Sequence, residues 1–93
     1  MAIRIDDAKP KVLVTASCGI EFTNVIEYKP LVDEALRISN DPPVNVILLQ
    51  RPQANASMQA GRDFDWDELM SSANPADPVP VDATDPLYIL YTS

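Results

Sequence analysis

The sequence predicts an α/β fold: a three-stranded, mainly parallel sheet with helices on the crossovers. Three observations carry this. Residues 12–16 form a short β-branched run and residues 44–49 a second strand of the same kind with an unbroken apolar stretch at 46–49, the pattern of strands covered on both faces. Between them, Leu31, Val32, Ala35, Leu36 and Ile38 recur at helical spacing and mark one apolar stripe. A third apolar run, Leu87-Tyr88-Ile89-Leu90-Tyr91, follows a further helix signal, so strands and helices alternate along the chain.

Taken in order, residues 2–8 mix Ile3 and Ile5 with Arg4, Asp6 and Asp7. They read as a short alternating strand or as the last turns of a helix without an N-cap, and helix is the expectation. Lys9-Pro10-Lys11 breaks the pattern before the first strand, which ends at Ser17-Cys18-Gly19. Residues 20–29 are mixed and are expected to form a loop. Pro30 suits the first position of a helix, where its missing N–H costs nothing. Asp33 and Arg37, four apart, offer that helix weak surface support, and Asn40-Asp41-Pro42-Pro43 stops it. After the second strand, Gln53 to Gly61 is small and polar, a loose surface loop. Asp65 caps a short helix, with Glu68 three residues on. Pro75, Pro78 and Pro80 make an extended connector to the third run. Whether that run pairs directly with the first two strands is left open by the sequence.

Composition narrows the function. The 93 residues make one small domain with a thin core. Fourteen acids against seven bases, a net charge of −7, disfavour nucleic acid and anionic membranes as partners. No apolar run approaches the length of a membrane span, and nothing near Met1 resembles a secretory signal. The single cysteine, Cys18, has no disulfide partner, which points to a reducing compartment. The absence of histidine removes the commonest general base and metal ligand.

The candidate chemical groups each have a structural reading. Cys18 lacks a base to generate thiolate and reads as a packing residue. Asp63, Asp65, Asp67 and Glu68 lack the glycine turn of a calcium loop and read as a solvated helix start. Trp66, Phe64 and Phe22 read as packing aromatics or, in the case of Phe22, as a loop recognition residue. Thr92 and Ser93 lie where the third strand would end, a place where α/β sheets meet ligands. With nothing beyond Ser93 and no cap before Ala2, the expectation is a partial domain spanning residues 1–93.

The run Asp85-Pro86-Leu87-Tyr88-Ile89-Leu90-Tyr91-Thr92-Ser93 resembles the strand that leads into the glycine-rich signature loop of adenylate-forming enzymes. Arg4-Ile5-Asp6-Asp7-Ala8-Lys9-Pro10-Lys11, Lys29-Pro30-Leu31-Val32-Asp33-Glu34-Ala35-Leu36 and Gly61-Arg62-Asp63-Phe64-Asp65-Trp66-Asp67-Glu68-Leu69 resemble, in the same order, segments of the acetyl- and propionyl-CoA synthetases. The resemblance spans essentially the whole chain and implies a piece of a larger α/β ATP-binding domain. The implied activity of the parent is that of an AMP-forming ligase. It activates a short carboxylate with ATP and magnesium to an acyl-adenylate, then transfers the acyl group to coenzyme A. Glu21, Phe22, Thr23 and Asn24 match the family's coenzyme A stretch, with Asn24 where the family often has arginine. Thr92 and Ser93 match the first hydroxyls of the ATP-phosphate loop. No catalytic or metal-binding residue carries over, so the 93-residue chain alone is expected to be inactive. The expected location is the cytoplasm or a mitochondrial matrix, with self-association through exposed sheet edges. The alternative is a stand-alone acidic α/β interaction module without catalysis.

Overall fold

The computed structural model describes residues 1–92. Along the chain run α1 (Ala2–Ala8), β1 (Val12–Ala16), β2 (Cys18–Glu21), β3 (Asn24–Glu27) and α2 (Lys29–Ile38). They are followed by β4 (Asn45–Leu49), β5 (Asp63–Asp65) and α3 (Trp66–Ser72). β1, β4 and β5 form an open, all-parallel sheet in that order, and β2 and β3 form a separate antiparallel hairpin. The α/β class and the three parallel strands agree with the sequence pattern.

The core lies between the sheet and two helices. Ile5 of α1 and Val32, Ala35 and Leu36 of α2 pack on Val46, with Ala2 and Leu13 at the margin. Leu13 pairs with Val46 and Thr15 with Leu48, so these four share the covered face. Strand alternation sends Val12 and Val14 to the opposite face, where both are exposed. β1 is therefore apolar on both faces but covered on one. α1 is joined to the far end of α2 by Asp6, whose carboxylate accepts from the Ser39 hydroxyl and from the N–H groups of Asn40 and Asp41.

Four local expectations are corrected. Residues 87–91 form no strand, and the third strand is Asp63–Asp65. The reason is proximity in sequence. The loop after β4 returns its own downstream residues to the β4 edge, with Val46 N–H donating to the Arg62 carbonyl at 2.9 Å as they arrive. Residues 20–29 are not a loop, because most of them belong to the β2–β3 hairpin and the start of α2. Arg37 pairs with Glu34, one turn away, and leaves Asp33 to other partners. Phe22 does not pack: it is 94% exposed. By contrast, Asp65 caps α3 as its position suggested, accepting from Glu68 N–H at 3.1 Å.

Candidate functional site

The carboxyl end of β1 is where a parallel sheet meets ligands, and here it is built around Ser17. Ser17 N–H donates to the Leu49 carbonyl at 2.9 Å, and its own carbonyl accepts from Tyr28 N–H at 3.1 Å. Its hydroxyl accepts from Arg51 N–H at 2.8 Å. One buried serine thus joins the ends of β1 and β4 to both strands of the hairpin. Arg51 adds a bond from its guanidinium to the Cys18 carbonyl at 3.4 Å. Cys18 itself is fully buried, which agrees with its reading as a packing residue.

Gly19 and Tyr28 set the shape of the hairpin base. A Cβ on Gly19 would lie 1.8 Å from the Tyr28 hydroxyl, so the ring occupies space that only glycine leaves open. From this base the strands run out to a two-residue turn, with Glu21 opposite Asn24 and Phe22-Thr23 between them. Phe22 has φ 54°, a left-handed conformation that is costly for a side chain with a Cβ. Strain of this kind persists only where the surroundings over-determine it. The structure therefore brings Glu21, Phe22, Thr23 and Asn24 together at one exposed tip.

Thr92 is not placed with them. Its carbonyl accepts from the Arg4 guanidinium at 3.2 Å, and the preceding Tyr91 donates its hydroxyl to Asp7 at 2.5 Å. Arg4 also stacks over the Tyr91 ring, 5.6 Å from its centre. The segment thus lies against α1. Ser93 lies outside the described residues. Among the described residues, no three histidine, cysteine or carboxylate side chains converge on a cation position.

The most heavily tied polar group is the Asp63 carboxylate, which accepts from Lys29, from Gln59 N–H and twice from Arg62. It is buried, not the solvated helix-start acid the sequence suggested, and its partner Lys29 was not singled out by sequence. Lys29, the first residue of α2, is only 2% exposed. Its ammonium donates to Asp63 at 2.7 Å, to the Ser57 carbonyl at 2.9 Å and to Asp33 at 3.3 Å. Arg62 completes the cluster, with Nε 2.7 Å from Asp63 and a terminal nitrogen 2.5 Å from Asp33. Burial alone would push the Asp63 carboxyl up. The hydrogen bonds from Arg62, Lys29 and Gln59 N–H outweigh it and hold that carboxyl well below the ordinary carboxylate range. The supposedly loose loop 53–61 is likewise ordered: the Gln50 amide bonds both Ala56 N–H and its carbonyl, at 2.9 Å each. A signal for Lys29 does exist in the sequence. A cation in the first turn of a helix opposes the helix dipole, so its presence there asks for local acids.

The chain aligns over its full length with known proteins, and no family model matches it. It is 51% identical over 94 residues to the human mitochondrial acyl-CoA synthetase short-chain family member 3, covering all of this chain and 14% of that protein. It is 47% identical over 95 residues to an acetyl-coenzyme A synthetase of Shewanella denitrificans, covering all of this chain and 15% of that one. Along its whole length the chain is similar to acetyl-CoA and short-chain acyl-CoA synthetases. A Pseudomonas aeruginosa protein of uncharacterised function is 58% identical over 93 residues, again along the whole chain. The chain spans 14–15% of the length of these relatives. Within it, the tip at 21–24 and the Lys29 cluster are the two most distinctive local structures.

Proposed function

We propose that this chain is a partial domain, residues 1–93, of an AMP-forming short-chain acyl-CoA ligase. The parent activates acetate or propionate with ATP and magnesium to an acyl-adenylate, then transfers the acyl group to coenzyme A. The observation that supports this most is full-length similarity at 47–51% identity to proteins named as acetyl- or short-chain acyl-CoA synthetases. In this reading the β2–β3 tip contacts coenzyme A. Glu21, Phe22, Thr23 and Asn24 are all exposed there, and the Phe22 ring offers an open face for stacking on a nucleobase. Asn24 supplies a neutral hydrogen bond in place of a charge-assisted one, so this tip orients the coenzyme rather than pairing with its phosphates. Thr92 and Ser93 belong to the start of the ATP-phosphate loop.

In this proposal the 93 residues alone are inactive, because no acid, base or nucleophile among the described residues is assigned to acyl transfer. The exposed Val12 and Val14 face and the open sheet edges favour self-association of the isolated chain. The parent acts in the cytoplasm or a mitochondrial matrix, on small carboxylates, without nucleic acid or membrane partners. No helix among the described residues is long and apolar enough to cross a membrane. The test is to express the complete natural polypeptide that contains this chain and assay acetate- and propionate-dependent acyl-CoA formation. Formation of acyl-CoA with release of AMP and pyrophosphate is expected. Turnover of neither acid would sink the ligase reading.

A further inference from the structure

We propose that Lys29 is a positioning residue for the coenzyme step: its buried ammonium, held by Asp63, Asp33 and the Ser57 carbonyl, sets the direction in which the β2–β3 hairpin presents residues 21–24. The proposal rests on the reading of that tip as a coenzyme A contact, and it concerns a residue that does not itself touch the ligand.

The geometry gives Lys29 this leverage. Its acceptors come from three separate places: Asp33 within α2, Ser57 in the loop after β4, and Asp63 at the start of β5. The next residue back is Tyr28, whose N–H donates to Ser17 and whose ring fills the space above Gly19. No unrestrained residue therefore separates the end of β3 at Glu27 from the cluster on the sheet. The other strand of the hairpin is held at its base by Arg51, through Ser17 and Cys18. With both strands held at the base, the direction of the tip follows the direction of the base.

Burial of a lysine contributes little net stability, because desolvation cancels most of its Coulombic gain. A methionine would fill similar space. What methionine lacks is direction, since it cannot hold an angle against three acceptors. β3 is four residues long, which makes a lever of about 13 Å at roughly 3.3 Å per residue. A tilt of ~5° at the base then moves the tip by ~1 Å, a displacement large enough to cost up to ~100-fold in a positioned reaction.

The test uses the complete polypeptide and separates its two half-reactions. Carboxylate-dependent ATP–pyrophosphate exchange reports adenylation without coenzyme A, whereas acyl-CoA formation reports the second step. Lys29→Met is expected to raise KM for coenzyme A at least ~10-fold while exchange stays within ~2-fold, and Lys29→Arg to recover most of the loss. Asp33→Asn, which keeps the Lys29–Asp63 pair, is expected to give a smaller rise and decides the matter if Lys29→Met does not fold. Phe22→Asp places a charge at the tip and probes the coenzyme reading separately. If Phe22→Asp raises KM for coenzyme A but neither Lys29→Met nor Asp33→Asn does, the positioning role is overturned and the tip reading stands. If Phe22→Asp leaves that KM unchanged, the tip reading fails and the proposal fails with it. Equal losses in both half-reactions for Lys29→Met would make its role structural only, and would also overturn the proposal.

Discussion

The hairpin base and the C-terminal segment use similar residues to opposite ends. Around Ser17 and Lys29, buried polar groups from β1, the hairpin, α2, the 51–62 loop and β5 satisfy one another, and no buried side-chain polar atom lacks a partner among the described residues. Residues 87–91 are as apolar as β1, yet Leu87, Tyr88, Ile89 and Leu90 stay exposed, and the ties nearby are surface contacts to α1 through Tyr91 and Thr92. The difference teaches that apolar character alone does not make a strand: residues 87–91 stay unpaired although the outer edges of β1 and β5 are open. β1 pairs with β4 across a connection that carries the β2–β3 hairpin and α2, whereas the other edge of β4 is taken by Asp63–Asp65.

The sharpest way to break this contrast is to remove an acid from the cluster. Asp63→Ala leaves Lys29 buried with its closest acceptor gone, and a loss of about 3–5 kcal/mol is expected in urea unfolding, a large share of a small domain's stability. The pH dependence follows the same group. Because the folded-state carboxyl titrates below its unfolded value, the unfolded chain binds more protons as pH falls below ~4, so stability declines there and is fully present above it. Asp63→Asn should flatten that acid limb in a series of urea melts between pH 6 and pH 2, whereas an unchanged limb would assign the loss to other carboxylates.

A smaller effect is expected at the hairpin base. Gly19→Ala drives a methyl into the Tyr28 ring and should cost about 1–3 kcal/mol, the range for overpacking. Adding Tyr28→Ala should recover part of it, and strict additivity in that double-mutant cycle would show that the two do not meet. At the tip the sign reverses. Phe22→Gly relieves a left-handed conformation worth about 1–2 kcal/mol, against about 0.5–1 kcal/mol of added chain entropy. The expected net is a small gain in thermal stability. Smallest of all, Tyr91→Phe removes an exposed hydrogen bond to Asp7 and should change stability by no more than ~0.5 kcal/mol. A large loss there would mean that the C-terminal segment is held as firmly as the hairpin.

Much of the layered plan is readable without coordinates. The α2 helix with its buried Val32, Ala35 and Leu36, the apolar β1 and β4 and the Asp65 cap follow from local chemistry, although Leu31 and Ile38 of the same stripe stay exposed. The hairpin was not readable because its turn is Phe22-Thr23, with none of the glycine or asparagine that ordinarily signals a two-residue turn. β5 was hidden for a related reason: Asp63-Phe64-Asp65 carries the charge of a loop, and its pairing comes from position beside Val46 and Leu48. The tip residues 21–24 were placed by resemblance to a family motif, while their common exposure was visible only once the hairpin existed.

By itself, then, the sequence determined which segments are amphipathic, where one helix is capped and that the chain is acidic, because these depend on residue type and spacing alone. Tertiary structure decided which apolar run joins the sheet, where the hairpin points and why a lysine is buried. Each of those rests on groups far apart in sequence, such as Lys29 with Asp63 and Ser17 with Arg51, whose bonds form only after β1, α2 and β4 have packed. Their partners are chosen by distance in the folded chain, and no local pattern records that distance.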